Sequence, residues 1–389
     1  MRGKAAIAYR TAMRGLLRLF FIFPVRRNRI MMSSNNDAAY YTCNPKYICE
    51  YLKHHEPGAY DIVWAFAEPE KWKRIRGIRT VKVHSVRWLY ELLTSRVVIY
   101  NRNPESYLPK RPRQLVINTW HAGGAYKKVG FENATLDSLD LWRARQINDY
   151  VDLFLTSSDA FTKSNIEGYR YKGQVMRSGM PRNDLFFRPA AVDRIRKRVR
   201  SRFGAREDSL VVLYAPTYRR NVTDPLALQI EFPFRSAAEA LKERFPGREP
   251  VFWERRHHQD FNRYDAEAGV LDVSSYPDMQ ELLAAADILI TDYSSSIWDF
   301  ALLGRPCFLY VPDLAEYETV DRGFFTPIGE WPGILCRDDA ELEDALRSLD
   351  EEQARRKAKE HLAALGSCED GHASSRVAEL IHRTVFGGP

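Results

Sequence analysis

The sequence predicts an α/β protein of two Rossmann-like parallel-sheet domains preceded by an amphipathic helix. Three observations predict it. Short apolar runs without polar alternation recur through both halves, as strands buried on both faces require. Helical stretches separate those runs, which is the rhythm of βαβ units. A charged, proline-led segment over 188–209 divides the two series. With 389 residues and 45% hydrophobic content, the chain is long enough to bury two cores.

The first element is a helix that Pro24 ends. Arg10, Arg14 and Arg18 stack on one face, and Tyr9, Met13, Leu16, Leu17 and Phe20 fall opposite, with Ile7 and Phe21 breaking the pattern. The longest charge-free run, 19–25, is far short of the roughly 20 residues that span a bilayer. No small-residue cleavage site follows, which argues against a secretory signal. A basic helix of this kind lies in a membrane interface, or it packs on the protein's own core. The basic runs 71–82 and 109–113 extend such a face or are solvated surface.

Strands are predicted at 61–66 (DIVWAF), 96–100 (RVVIY), 114–118 and 153–156, with a helix over 45–52. The second half repeats the pattern at 210–214 (LVVLY), 250–253, 270–273, 288–291 (ILIT) and 307–310, with a helix over 279–286. The tail, 338–386, reads as two helices, the second starting near Ser374. The predicted divisions are therefore 1–24, 25–195 and 196–389. Two parallel-sheet domains facing a cleft place ligands at the carboxyl ends of strands.

Charge is divided unevenly. Residues 1–190 hold 32 Lys and Arg against 16 Asp and Glu, and the remainder holds 26 against 35. An anionic partner for the first half follows, either an anionic membrane surface or nucleic acid. The N-terminal helix favours the membrane. Five scattered cysteines with no C-x-x-C pair fit a reducing cytoplasm and give neither a zinc site nor a disulfide framework.

Four motifs stand at strand ends. In TWHAGG, His121 is either a general base or a packed histidine. Gly123 and Gly124 leave backbone open to a substrate, with Lys127 and Lys128 close behind. In YAPTYR, Thr217 offers a hydroxyl and Arg219 a fork of donors suited to phosphate, unless this is a plain turn. WERRHH gathers Arg255, Arg256, His257 and His258, a phosphate contact or a surface cluster. Its single carboxylate makes a metal site unlikely to be its purpose. In TDYSSS, Asp292 ends a strand, and Ser294, Ser295 and Ser296 precede a helix whose first N–H groups suit phosphate or simply take a cap. Neither a P-loop nor a dinucleotide fingerprint is present. Phosphate-friendly motifs in the second half and a histidine in the first suggest a diphosphate donor and an activated acceptor.

Taken in order, TWHAGGAYKKVG, GMPRND, YAPTYR, RRHH, VSSYPDMQELLAAADILITDYSSS and the DLAEY and RGFF segments resemble the CDP-glycerol glycerophosphotransferases. These are the teichoic-acid primases and polymerases of Gram-positive bacteria. The likeness covers roughly 30–345. It implies a GT-B-like fold and a peripheral enzyme on the cytoplasmic face of the membrane. It implies transfer of glycerol phosphate from CDP-glycerol to an undecaprenyl-diphosphate-linked saccharide in wall teichoic acid or related capsule synthesis, releasing CMP; catalysis by positioning and cationic clamps demands no metal, and no cofactor or nucleic acid is expected. By the same resemblance His121 is the base, and His257 (or His258, since both registers fit R-x-H) contacts the donor phosphates. Thr217, Arg219, Arg255, Asp292, the three serines and Arg322 fall to the donor, and Gly123, Gly124, Lys127 and Lys128 to the acceptor. Ala122-Gly123-Gly124 stands where glycerol polymerases commonly have Gly-Thr-Pro; the Ala is closer to the primase type, whereas NPKYICEYL is closer to polymerase-type or capsule enzymes. Competing readings are a GT-B glycosyltransferase or nucleotide-sugar epimerase, and a non-catalytic basic protein that binds membrane or nucleic acid.

Overall fold

The structure, a computed structural model, describes residues 2–34, 38–217, 230–256, 269–320 and 323–387. The chain divides into two compact units. One comprises Met1–Gly123, Lys128–Asp184 and Ser367–Pro389, and the other Gly124–Lys127 and Leu185–Gly366.

Seven parallel strands form the first unit's sheet: β1 (Arg26–Met32), β2 (Asp61–Phe66), β3 (Arg79–Lys82), β4 (Ser95–Tyr100), β5 (Leu115–Asn118), β6 (Leu153–Thr156) and β7 (Gln174–Arg177). Their order is β3-β2-β1-β4-β5-β6-β7. Alternate side chains enter different cores. Ile30, Trp64, Val97 and Ile117 pack in one, and Met31, Val63, Val98 and Val116 in the other. Burial on both faces is why these strands read as unbroken apolar runs.

The second sheet also runs parallel throughout: β8 (Leu210–Ala215), β9 (Pro250–Glu254), β10 (Val270–Asp272), β11 (Ile288–Thr291), β12 (Cys307–Tyr310) and β13 (Ile334–Cys336). Its order, β10-β9-β8-β11-β12-β13, reverses between β8 and β11. The first sheet reverses between β1 and β4. Both are doubly wound, and each reversal is a topological switch point, where ligands of such sheets bind.

The predicted strands are present within one or two residues, and β1, β3, β7 and β13 are additional. β1 hides behind its arginines. Arg29 is only 4% exposed because Asp61 and Glu91 take its guanidinium at 2.8 and 2.7 Å. Arg79 on β3 binds the same two carboxylates. A charge is tolerated in a sheet interior when it is paired in this way.

The tail forms three helices rather than two: Asp339–Arg347, Glu351–Ala364 and Ala373–Phe386. The last joins the first unit, where Val377, Ala378, Ile381 and Val385 pack with Ile30 and Leu52. Its apolar spacing alone does not say which sheet it covers. The chain passes between the units at Gly123–Gly124, at Lys127–Lys128, at Gly366–Ser367 and at Asp184–Leu185, the last inside a 3-10 segment ahead of helix Pro189–Arg202.

The N-terminal helix is Arg2–Leu17, continued by a 3-10 turn at Arg18–Ile22. Its apolar face is divided. Leu17 is buried and Phe20 and Phe21 pack against the first core, while Tyr9, Leu16, Leu19, Ile22 and Phe23 are exposed. The buried Arg111 fastens the turn by donating to the carbonyls of Phe20, Phe21 and Phe23. No helix among the described residues is long and apolar enough to cross a membrane.

Candidate active site

His121 is exposed, three residues beyond the end of β5. Its setting is built by a tight turn. Asn118 closes β5, and its side-chain oxygen accepts the Trp120 N–H at 2.9 Å, a local turn that Asn favours. Trp120 takes φ +51°, in the left-handed region, where a bulky residue is strained by about 1–3 kcal/mol. Burial holds it there: its ring is 7% exposed and packs against Phe154, Tyr169 and His121. The backbone carbonyls of Thr119 and Trp120 both accept from the buried Asn44 side chain.

The turn carries His121 Nδ1 to 2.8 Å from the carbonyl oxygen of Asn101, just past the end of β4. A carbonyl can only accept, so Nδ1 carries a proton, and in a neutral ring the lone pair lies on Nε2. Neutral imidazole held in that tautomer is what a general base requires. The Asn101 and Asn118 side chains are fully buried, and their amide nitrogens have no hydrogen-bond partner among the described residues.

The switch point of the second sheet gathers two predicted motifs. Thr291, the end of β11, pairs with Ala215, the end of β8. Immediately beyond, the Asp292 carboxylate accepts the Thr217 N–H at 2.9 Å and the Thr217 hydroxyl at 2.5 Å. Asp292 is 2% exposed, so its charge holds the YAPT turn in place. Tyr293 donates to Asp313 at 2.8 Å and stacks on Tyr317 with centroids 3.6 Å apart.

The serines divide their roles. Ser294 Oγ lies 2.9 Å from Ser296 Oγ and accepts the Ser296 N–H at 3.3 Å. Ser295 stands at the N-cap of helix Ser296–Ala301 and makes no side-chain capping bond. Simple capping therefore does not account for Ser295. Arg255, after β9, donates to the Tyr276 carbonyl at 2.9 Å, and Arg256 pairs with Glu254. Arg219, His257, His258 and Arg322 lie outside the described residues.

The glycine-lysine stretch behind His121 splits between the units. Gly123, buried, accepts from the Ser157 hydroxyl in the first. Gly124–Lys127 belongs to the second. A Cβ on Gly124 would stand 2.3 Å from the Tyr126 ring. Tyr126 O accepts the Phe325 N–H at 2.8 Å, Ala125 O accepts the Thr326 hydroxyl, and Lys127 bridges Phe324. Lys127 Nζ donates to Tyr317 OH at 2.6 Å and lies 6.0 Å from the centre of the Tyr293 ring. Lys128 is exposed in the first unit.

A family model described as CDP-glycerol:poly(glycerophosphate) glycerophosphotransferase matches residues 16–383. The chain belongs to this family. Among curated relatives it is 27% identical over 367 residues to the teichoic acid glycerol-phosphate transferase of Staphylococcus aureus, covering 88% of this chain and 90% of that protein. To the teichoic acid poly(glycerol phosphate) polymerase of Bacillus subtilis it is 26% identical over 340 residues, 84% of this chain but only 44% of that protein. The solved wall teichoic acid polymerase TagF matches with a TM-score of 0.82 at 24% identity, over 99% of this chain and 96% of that one. A putative UDP-N-acetylglucosamine 2-epimerase from Listeria monocytogenes matches at a TM-score of 0.52 and 10% identity, over 94% and 98%. These likenesses establish the GT-B-like fold of two parallel-sheet domains.

In this glycerophosphotransferase-family chain the sequence reading missed several residues beside the motifs. Tyr126 OH lies 3.0 Å from His361 Nε2, and His361 Nδ1 lies 2.8 Å from the Glu330 carbonyl. The Glu330 carbonyl accepts from Nδ1–H, so in the neutral ring Nε2 accepts from the Tyr126 hydroxyl. Burial lowers the His361 pKa to about 4 and keeps it neutral. Tyr126 and Tyr317 lie inside the TWHAGGAYKKVG and DLAEY stretches without being singled out, whereas His361 and Asn101 lie outside every motif, and only the fold brings Asn101 to His121.

Proposed function

We propose that this protein transfers glycerol phosphate from CDP-glycerol to a hydroxyl of an undecaprenyl-diphosphate-linked saccharide in wall teichoic acid synthesis. The acceptor oxygen forms a bond to the β-phosphorus, the bond from that phosphorus to the bridging oxygen breaks, and CMP leaves. His121 Nε2 takes the acceptor proton. The observation that carries this reading is the Asn101 carbonyl on Nδ1, which presents Nε2 as the basic nitrogen.

The switch point of the second unit is the proposed donor site. Thr217, held by Asp292, and the Ser295 hydroxyl face the diphosphate, with Arg255, Arg219, His257 and Arg322 as its cations. Lys127, stacked beside Tyr317 and Tyr293, joins them as a donor contact rather than an acceptor contact. Charge stabilisation of this kind acts on departing CMP without any covalent step by the protein. Lys128, exposed in the first unit, is left to the acceptor.

The N-terminal segment supports association with the cytoplasmic face of the membrane. Residues 1–29 hold eight Lys and Arg and no acid, beside the exposed Tyr9, Leu16, Leu19, Ile22 and Phe23. Two weak signals together give stable peripheral binding. The test is product analysis with CDP-glycerol, CDP-ribitol and UDP-N-acetylglucosamine, each with lipid-linked disaccharide. CMP release from CDP-glycerol alone, with a glycerol-phosphate adduct, supports the reading, and turnover of the UDP-sugar alone contradicts it.

A further inference from the structure

The first unit contains a cavity of about 230 Å³ beneath the N-terminal helix. It is smaller than the roughly 300–1,000 Å³ of pockets that take drug-sized ligands, and suits a group the size of a phosphodiester. Arg14 and Arg18 enter from the helix and its 3-10 turn, Lys110 from the loop after β4, and Gln146 from helix Ser138–Tyr150.

Its cations are undercompensated. Arg14 donates through Nη2 to the Ser106 carbonyl and the Gln146 side chain, but its Nε is buried without an acceptor. Arg18 has no ion pair or side-chain hydrogen bond among the described residues. Two carboxylates also line the cavity. Glu105 is neutralised by Arg102 at 2.9 Å, and Asp149 is exposed. Lys110 is paired with Asp152. Two guanidinium groups therefore face the space with little opposing charge, and a guanidinium fork matches phosphate. The helix that supplies them also carries the exposed Tyr9 and Leu16, and Leu19 and Ile22 follow in its turn.

We propose that this cavity binds a phosphate group, supplied by the headgroup of an anionic lipid on which the N-terminal segment rests. The site would convert diffuse surface attraction into a fixed seat for the first unit. It depends on the membrane association proposed above for the source of its phosphate, and not on the identity of the transferred group.

The test uses the full chain and vesicles of phosphatidylcholine with and without about a quarter phosphatidylglycerol. The double variant Arg14→Gln/Arg18→Gln should weaken binding to the anionic vesicles about tenfold more than Lys4→Gln/Arg10→Gln, which removes the same charge from the same helix outside the cavity. Equal losses in the two variants would overturn the site in favour of unlocalised attraction. Because Arg14 also fastens the loop at Ser106, Arg18→Gln alone is measured too, and it should retain the wild-type melting temperature and bind the anionic vesicles more weakly. Titration with inorganic phosphate separates the sources. Phosphate binding that Arg18→Gln abolishes, with no change toward vesicles, would overturn the lipid assignment. CMP release from CDP-glycerol on the same preparations reports the transfer reading separately. Its absence beside selective vesicle binding would count against that reading and leave the cavity site standing.

Discussion

His121 Nδ1 sits 2.8 Å from the backbone carbonyl of Asn101, and this contact fixes the ring nitrogen that carries a proton. It depends on a turn that holds Trp120 at φ +51° through the Asn118 side chain. Asn118→Ala removes the acceptor of the Trp120 N–H and lets the turn relax. The expected result is a fall in kcat of about tenfold or more with the CDP-glycerol dissociation constant unchanged, since only transition-state positioning is lost. Steady-state kinetics beside calorimetric donor binding checks it.

Thr217 and Asp292 are a second coupled pair. Thr217→Val keeps the shape and the N–H bond but strands one carboxylate oxygen of a buried Asp292 without its hydroxyl partner. A hydrogen bond to a charged group contributes about 1.5–3 kcal/mol, so the variant should lose roughly that stability and bind CDP-glycerol more weakly. Thr217→Ser should restore most of both, as measured by denaturant melts and donor titration.

Lys127 and Lys128 are neighbours in sequence and members of different units. Lys127→Met should raise the KM for CDP-glycerol about tenfold by removing a cation near the diphosphate. Lys128→Met should leave it unchanged. The reverse pattern would return Lys127 to the acceptor.

His361 gives the protein a pH-dependent stability. Burial depresses its folded pKa to about 4, below the unfolded value near 6.5. Between these values the unfolded chain binds more protons, so stability is fully present above about pH 6.5 and is lost as pH falls through about 4, a contribution on the order of 3 kcal/mol. His361→Gln should be less stable at pH 7.5 and show a flatter profile over that interval in equilibrium unfolding.

Much of the fold was legible because buried parallel strands declare themselves. ILIT at 288–291 and DIVWAF at 61–66 are bounded by polar residues and have no alternation to misread. RRNRIMM of β1 was not legible, since its buried Arg29 looks like surface until Asp61 and Glu91 are folded against it. The same limit applies at the site. Strand ends placed Thr217, Asp292 and His121 on the segments that follow β8, β11 and β5, where the structure has them. Nothing local shows that Asp292 is spent on Thr217, or that the chain passes from one unit to the other between Gly123 and Gly124. Spacing along a helix likewise could not divide the N-terminal apolar face into Leu17, buried, and Leu16, exposed.

The most direct test of the central claim is His121→Ala, with CMP release followed in a single turnover at saturating CDP-glycerol and lipid-linked acceptor. Loss of a general base should slow release by about a hundredfold or more while donor affinity stays within about twofold. Release at near wild-type rate, or a loss explained by weakened donor binding, would contradict the assignment of His121 as the base.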